Sequence, residues 1–150
     1  METKNTFPPN WNKIKSAFPN AEAEQAVFCY GSVLHNPFNA QITRDLEIHE
    51  AVHSRQQDKD PEGWWDKYIS DPSFRVEQEI QAYGLQMYHL KTTKVLKQDE
   101  KGRTVEMYIP SRVISWYLDK IAETLSGPLY NHAIDYHKAH SRVRHFIKEV

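Results

Sequence analysis

Residues 46–57 read LEIHEAVHSRQQ, and inside them His49-Glu50-Ala51-Val52-His53 spells H-E-x-x-H. If this stretch is helical, the i, i+4 spacing puts both imidazoles on one face with Leu46 and Gln56, while Ile48 and Val52 occupy another. Two imidazoles so placed reach one zinc ion. The glutamate between them stands beside the metal, where a carboxylate suits the task of base for a zinc-activated water. Eight histidines and twelve glutamates in 150 residues would give about 0.03 such windows by chance, so composition is a poor explanation of the motif.

The flanks support a helix from Thr43 to about Lys59. Thr43 suits the N-cap, and Asp45 and Glu47 complement the positive end of the helix dipole. A catalytic zinc takes three protein ligands and keeps a fourth position open, so a further His, Glu or Asp is expected. The three-histidine form of the motif needs glycine at 56 and histidine at 59, where this chain has Gln56 and Lys59. Asp71-Pro72 reads as the start of the next long helix, running to about Leu90, and its segment FRVEQEIQAYGLQ offers Glu77 and Glu79. These two lie about 200° apart around a helix, so only one can face the metal.

Here the sequence resembles the gluzincin-type metallopeptidases, in which a second helix supplies a glutamate ligand. Glu79-Ile80-Gln81-Ala82 is similar to the E-x-x-A pattern of small intracellular members such as the ImmA/IrrE-like peptidases. The order H-E-x-x-H-x-x-Q, an aromatic stretch, then E-x-x-A is also similar to small bacterial and phage zincin-like proteins. The resemblance covers residues 26–92. It implies Zn2+ held by His49, His53 and Glu79, with Glu50 as general base and Ala82 small enough for the two helices to approach. Glu77 is the alternative third ligand. The resemblance further implies that a strand before the histidine helix borders the cleft and pairs with an extended substrate. AVFCYGSVL, residues 26–34, is the best strand candidate and lies in the right place.

A donor for the oxyanion that forms during acyl transfer is often Tyr, His or Arg. GPLYNHAIDYHKAH contains several, and Tyr130 and His132 are singled out because they follow the Gly127-Pro128 helix stop and are expected in a loop.

Around this core, residues 1–10 read as a loose lead-in and Trp11–Phe18 as a short helix. Pro61-Glu62-Gly63 reads as a break, and GWWDKYIS as a short helix or turn in which Trp64, Trp65 and Tyr68 are packing anchors. Residues 93–109 suggest a hairpin turning at Asp99-Glu100-Lys101-Gly102. A helix capped by Ser111 and a last one over roughly 134–149 complete the chain.

The length fits one domain, 1–150, with a metal-site core at about 26–92 and a hairpin and helices at about 93–150. Charged residues at 26%, hydrophobic residues at 39% and a net charge of −1 describe an ordinary globular protein with no electrostatic case for nucleic acid as main partner. METKNTFPPNWNKIKSAF lacks the apolar run of a signal peptide, no stretch spans a membrane, and the single cysteine, Cys29, fits a reducing compartment, so a cytoplasmic protein is expected.

The expected fold class is α+β, predominantly helical: a zincin-like minimal metallopeptidase fold with a small β-sheet packed on the H-E-x-x-H helix and a C-terminal helical part. The expected function is zinc-dependent hydrolysis of peptide bonds in a protein or peptide substrate. The alternative is a zincin-like metal-binding module with an interaction or structural role, of a phage-related kind, without proteolysis. Oligomeric state is not legible.

Overall fold

The computed structural model describes all 150 residues. It is α+β and 53% helical. No helix is long and apolar enough to cross a membrane.

The first three residues of the expected lead-in after Met1 form a strand, β1 (Glu2–Lys4), followed by α1 (Trp11–Ala17). The stretch expected as one strand over 26–34 is instead a hairpin of β2 (Phe28–Tyr30) and β3 (Val33–His35). The reason lies at Gly31, whose φ of 61° belongs to the left-handed region that glycine enters without a Cβ clash. The chain reverses there, and β3 becomes the centre of a three-stranded sheet ordered β1-β3-β2, with β1 parallel to it.

Next come α2 (Arg44–Gln57), α3 (Pro61–Ser70) and α4 (Pro72–Thr92). Thr43 takes the N-cap position of α2 in extended conformation, without a side-chain capping bond. Pro61, expected as part of a break, is the first residue of α3, a position where its missing N–H costs nothing; the Asp60 carboxylate caps the helix by accepting from Gly63 N at 2.9 Å. Asp71 alone separates α3 from α4. It ends the first and caps the second by accepting from Phe74 N at 3.1 Å.

The hairpin β4 (Lys94–Gln98) and β5 (Thr104–Tyr108) follows as expected, then α5 (Ser111–Leu125), a 3-10 turn at Pro128–Tyr130, and α6 (Tyr136–His145). Ser111 is the first residue of α5 and Pro110 holds its cap position. Asp135 caps α6 through Lys138 N at 2.9 Å.

Two apolar clusters flank α2 and α4. Ile14, Phe28, Trp64 and Trp65 centre the N-terminal one. The larger one joins Val76, Ile80 and Met87 of α4 to α5 and α6. Helix α4 is therefore two-faced. Residues 76, 80 and 87 enter the core, whereas Glu79, Tyr83 and Gln86, at 4 and 3 spacing, turn to α2. Ala82, wholly buried, lies in the same turns.

Candidate metal centre

Helix α2 presents His49 and His53 side by side, both buried, with their Nε2 atoms 3.1 Å apart. Glu79 reaches them from α4, its Oε2 3.2 Å from His49 Nε2 and its Oε1 3.3 Å from His53 Nε2. Three donors at the corners of a zinc tetrahedron with bonds of 2.0–2.1 Å would stand about 3.3 Å apart. The two histidine nitrogens stand close to that distance, and each has one Glu79 oxygen at a similar range, Oε2 for His49 and Oε1 for His53. Glu50, also buried, lies in the same group: one donor atom from each of His49, Glu50 and His53 falls within 4.8 Å of the others.

The far nitrogens of the two rings are tied down. Gln86 Nε2 donates to Asp45 Oδ2 at 2.7 Å, which turns Gln86 Oε1 to His49 Nδ1 at 3.0 Å. Gln56 Nε2 donates to the Gln78 carbonyl at 3.0 Å, which turns its Oε1 to His53 Nδ1 at 2.8 Å. Each Nδ1 thus carries a proton, so that a neutral ring keeps its lone pair on Nε2, an assignment that follows from the bonding network. The Gln56 that rules out the three-histidine motif orients the His53 ring instead.

Two lone pairs and a carboxylate crowded in a buried space repel one another unless a positive charge lies between them. In the metal-free protein a proton supplies it. Burial works against a charged His53, but the charge and hydrogen bond of Glu79, together with Glu50, outweigh it and push His53 up to about 9. Burial likewise opposes the Glu79 carboxylate, and the charge of His53 with the hydrogen bonds of both histidines holds it well below the usual range. A metal must displace that proton. Zinc uptake near pH 7.5 is therefore expected to release about one proton per ion, and apparent affinity should rise with pH up to about 9. Dye-monitored titration in weak buffer checks this; affinity independent of pH between 6 and 9 would contradict it.

Glu77 has no part in the cluster. It faces α6 and pairs with Arg142, Nη2 to Oε2 at 2.7 Å, on the surface. The two glutamates point about 200° apart, and the fold turns Glu79 to α2 and Glu77 away from it.

The four clustered residues line a cavity of about 630 Å³ whose other walls include Phe28, Trp65, Tyr68 and Tyr130. Tyr130 is buried, and burial, then the charge of Glu79, push its hydroxyl well above the usual range, so it remains a neutral O–H donor. His132 is not brought to the site. Asn131 and His132 both take φ of 52°, which swings the exposed His132 ring away to bond the Ser126 carbonyl at 2.8 Å.

Two further residues act here without having been singled out as site residues. Tyr68, expected only as a packing anchor, donates its hydroxyl to Glu79 Oε1 at 2.5 Å. Gln57 ties α2 to the hairpin, accepting from Gly31 N at 2.7 Å and donating to the Cys29 carbonyl at 2.8 Å. That carbonyl also accepts from Trp65 Nε1 at 3.0 Å, and the Cys29 backbone N–H steadies the Glu50 carboxylate. The edge strand β2 thus spends the polar groups of Cys29 on positioning α2 and Glu50, and they are not free for the substrate pairing expected of this stretch. Burial is the main influence on Glu50 itself, and raises its carboxyl above the ordinary value.

No family model matches the chain, and no curated protein or solved structure matches it.

Proposed function

We propose that this protein is a zinc-dependent peptidase of zincin-like architecture, with His49, His53 and Glu79 as metal ligands and Glu50 as general base. The observation that carries the reading is two oriented imidazoles with Nε2 atoms 3.1 Å apart and the Glu79 carboxylate across from both, its oxygens 3.2 and 3.3 Å from them, with a second buried carboxylate, Glu50, beside them on the wall of a cavity. Bound zinc would supply Lewis acidity, polarising a carbonyl and acidifying water. Glu50, held by α2 and the Cys29 N–H, takes the proton of the attacking water and hands it on to the leaving amine. The Tyr130 hydroxyl, kept protonated by burial and lining the same cavity, would donate to negative charge developing on the substrate. The apolar wall formed with Phe28 and Trp65 receives substrate side chains.

The substrate is a protein or peptide, and the setting is the cytoplasm, in keeping with a single free, buried cysteine. One observation favours the second reading, a metal-holding interaction module that does not cleave: the Cys29 polar groups that would align a substrate strand are already engaged.

The test is a protein loaded with zinc and incubated with a peptide library, with products read by mass spectrometry. Cleavage is expected to stop when a chelator removes the metal and to return with one equivalent of zinc. Stoichiometric zinc binding with no cleavage of any member favours the second reading. Failure to bind zinc after reconstitution refutes both.

A further inference from the structure

Glu79 has two oxygens near the histidines, yet they are not equivalent. Each lies beside one imidazole, Oε2 at 3.2 Å from His49 Nε2 and Oε1 at 3.3 Å from His53 Nε2, but only Oε1 also accepts a 2.5 Å hydrogen bond from Tyr68. The Tyr68 ring is immobilised from several sides. It stacks on Trp64 at 4.9 Å and meets Trp65 and Phe18 edge-on at 5.2 and 6.2 Å. Its own carbonyl accepts from Arg75 Nε at 2.7 Å, and the guanidinium lies 5.6 Å from its ring centre. Because Asp71 is the only residue between α3 and α4, the hydroxyl is brought back against a carboxylate just eleven positions along the chain. Nothing in this packing lets Tyr68 turn aside.

We propose that Tyr68 is a positioning residue that restricts Glu79 to one oxygen, Oε2, as a metal ligand, and so preserves an open coordination position beside Glu50. The inference rests on the zinc reading of His49, His53 and Glu79. A carboxylate free to use both oxygens would occupy the place a water or substrate carbonyl needs, whereas a hydrogen bond to Oε1 lowers its donor strength and fixes its plane. The residue acts through Glu79 and touches no reacting atom. Its ring fills the aromatic cluster regardless of the hydroxyl, so Tyr68→Phe removes the bond and leaves the packing.

The experiment compares wild type and Tyr68→Phe after loading with Co2+, whose visible absorption weakens as coordination number rises. A competing chromogenic chelator gives affinities for Co2+ and Zn2+. Wild type is expected to bind one equivalent with the strong bands of a low-coordinate site. Tyr68→Phe should show weakened bands and an affinity lower by about 10-fold, as for other loss of outer support to a ligand. Identical spectra and affinities in the two proteins overturn this inference while leaving the metal reading intact. No uptake by wild type removes the metal reading and this inference with it. Equal thermal transitions of the metal-free proteins identify the change as one of ligand positioning.

Discussion

Glu79→Ala is expected to abolish stoichiometric zinc binding, whereas Glu77→Ala, two residues away, should leave it untouched. Glu79 is the only carboxylate from α4 at the two imidazoles, with its oxygens 3.2 and 3.3 Å from their Nε2 atoms. Loss of an outer-shell partner alone costs about 10- to 100-fold in affinity, so removal of a ligand should exceed about 100-fold. Metal-free stability should fall as well, because removing one partner of a buried pair leaves His53 and the Tyr68 hydroxyl without the carboxylate that faces them. Glu77→Ala breaks only a surface pair with Arg142, a change within about 1 kcal/mol. Zinc content by mass spectrometry beside thermal melts separates the two variants. Full zinc in Glu79→Ala would remove this residue from the site.

The parts of this outcome that were legible in the sequence are those governed by local spacing. H-E-x-x-H, its flanking acids and the Asp71-Pro72 start act within one or two turns of helix, and the two helices follow from them. The helix period said that Glu77 and Glu79 could not share a face, and the preference for Glu79 came from the resemblance of Glu79-Ile80-Gln81-Ala82 to E-x-x-A. What resisted reading depends on partners far along the chain. The pairing of β1 with β3 joins Glu2 to Val33, and no local pattern in residues 1–10 announces it. The division of 26–34 into two strands turns on whether Gly31 sits within a strand or reverses it, and glycine allows either. Pro61 stops a helix from one side and starts one from the other; Asp60 before it was the available signal for a start.

The site shows the same division. Tyr130 and His132 are near neighbours expected in one loop, yet the 3-10 turn buries the first while left-handed backbone at 131 and 132 carries the second away. Residue type could not separate them, because the difference is one of backbone direction. Tyr68 and Gln86 were hidden for another reason. An aromatic beside two tryptophans reads as core, and a helix glutamine reads as surface. Their roles exist only once α3 and α4 fold back on α2.

Glu50→Gln separates metal binding from chemistry. Gln matches Glu in size and keeps an oxygen to accept from the Cys29 N–H, so α2 and the hairpin should hold their places. A neutral amide is also cheaper to bury than a carboxylate, so no loss of melting temperature is expected at this buried position. Zinc should remain at one per chain, since the proposed ligands are untouched. The amide nitrogen has no lone pair for a proton at working pH, and turnover of any peptide the wild type cleaves should fall by about 10²- to 10⁴-fold. Asp at this position is the informative companion. It keeps the basicity but shortens the reach by one methylene, so Glu50→Asp should retain more turnover than Glu50→Gln while binding zinc equally. Cleavage by Glu50→Gln at the wild-type rate would take Glu50 out of the chemistry and leave the buried carboxylate without a catalytic role. Equal biological effect of the two proteins, with zinc bound in both, would identify the site as structural and favour the interaction module.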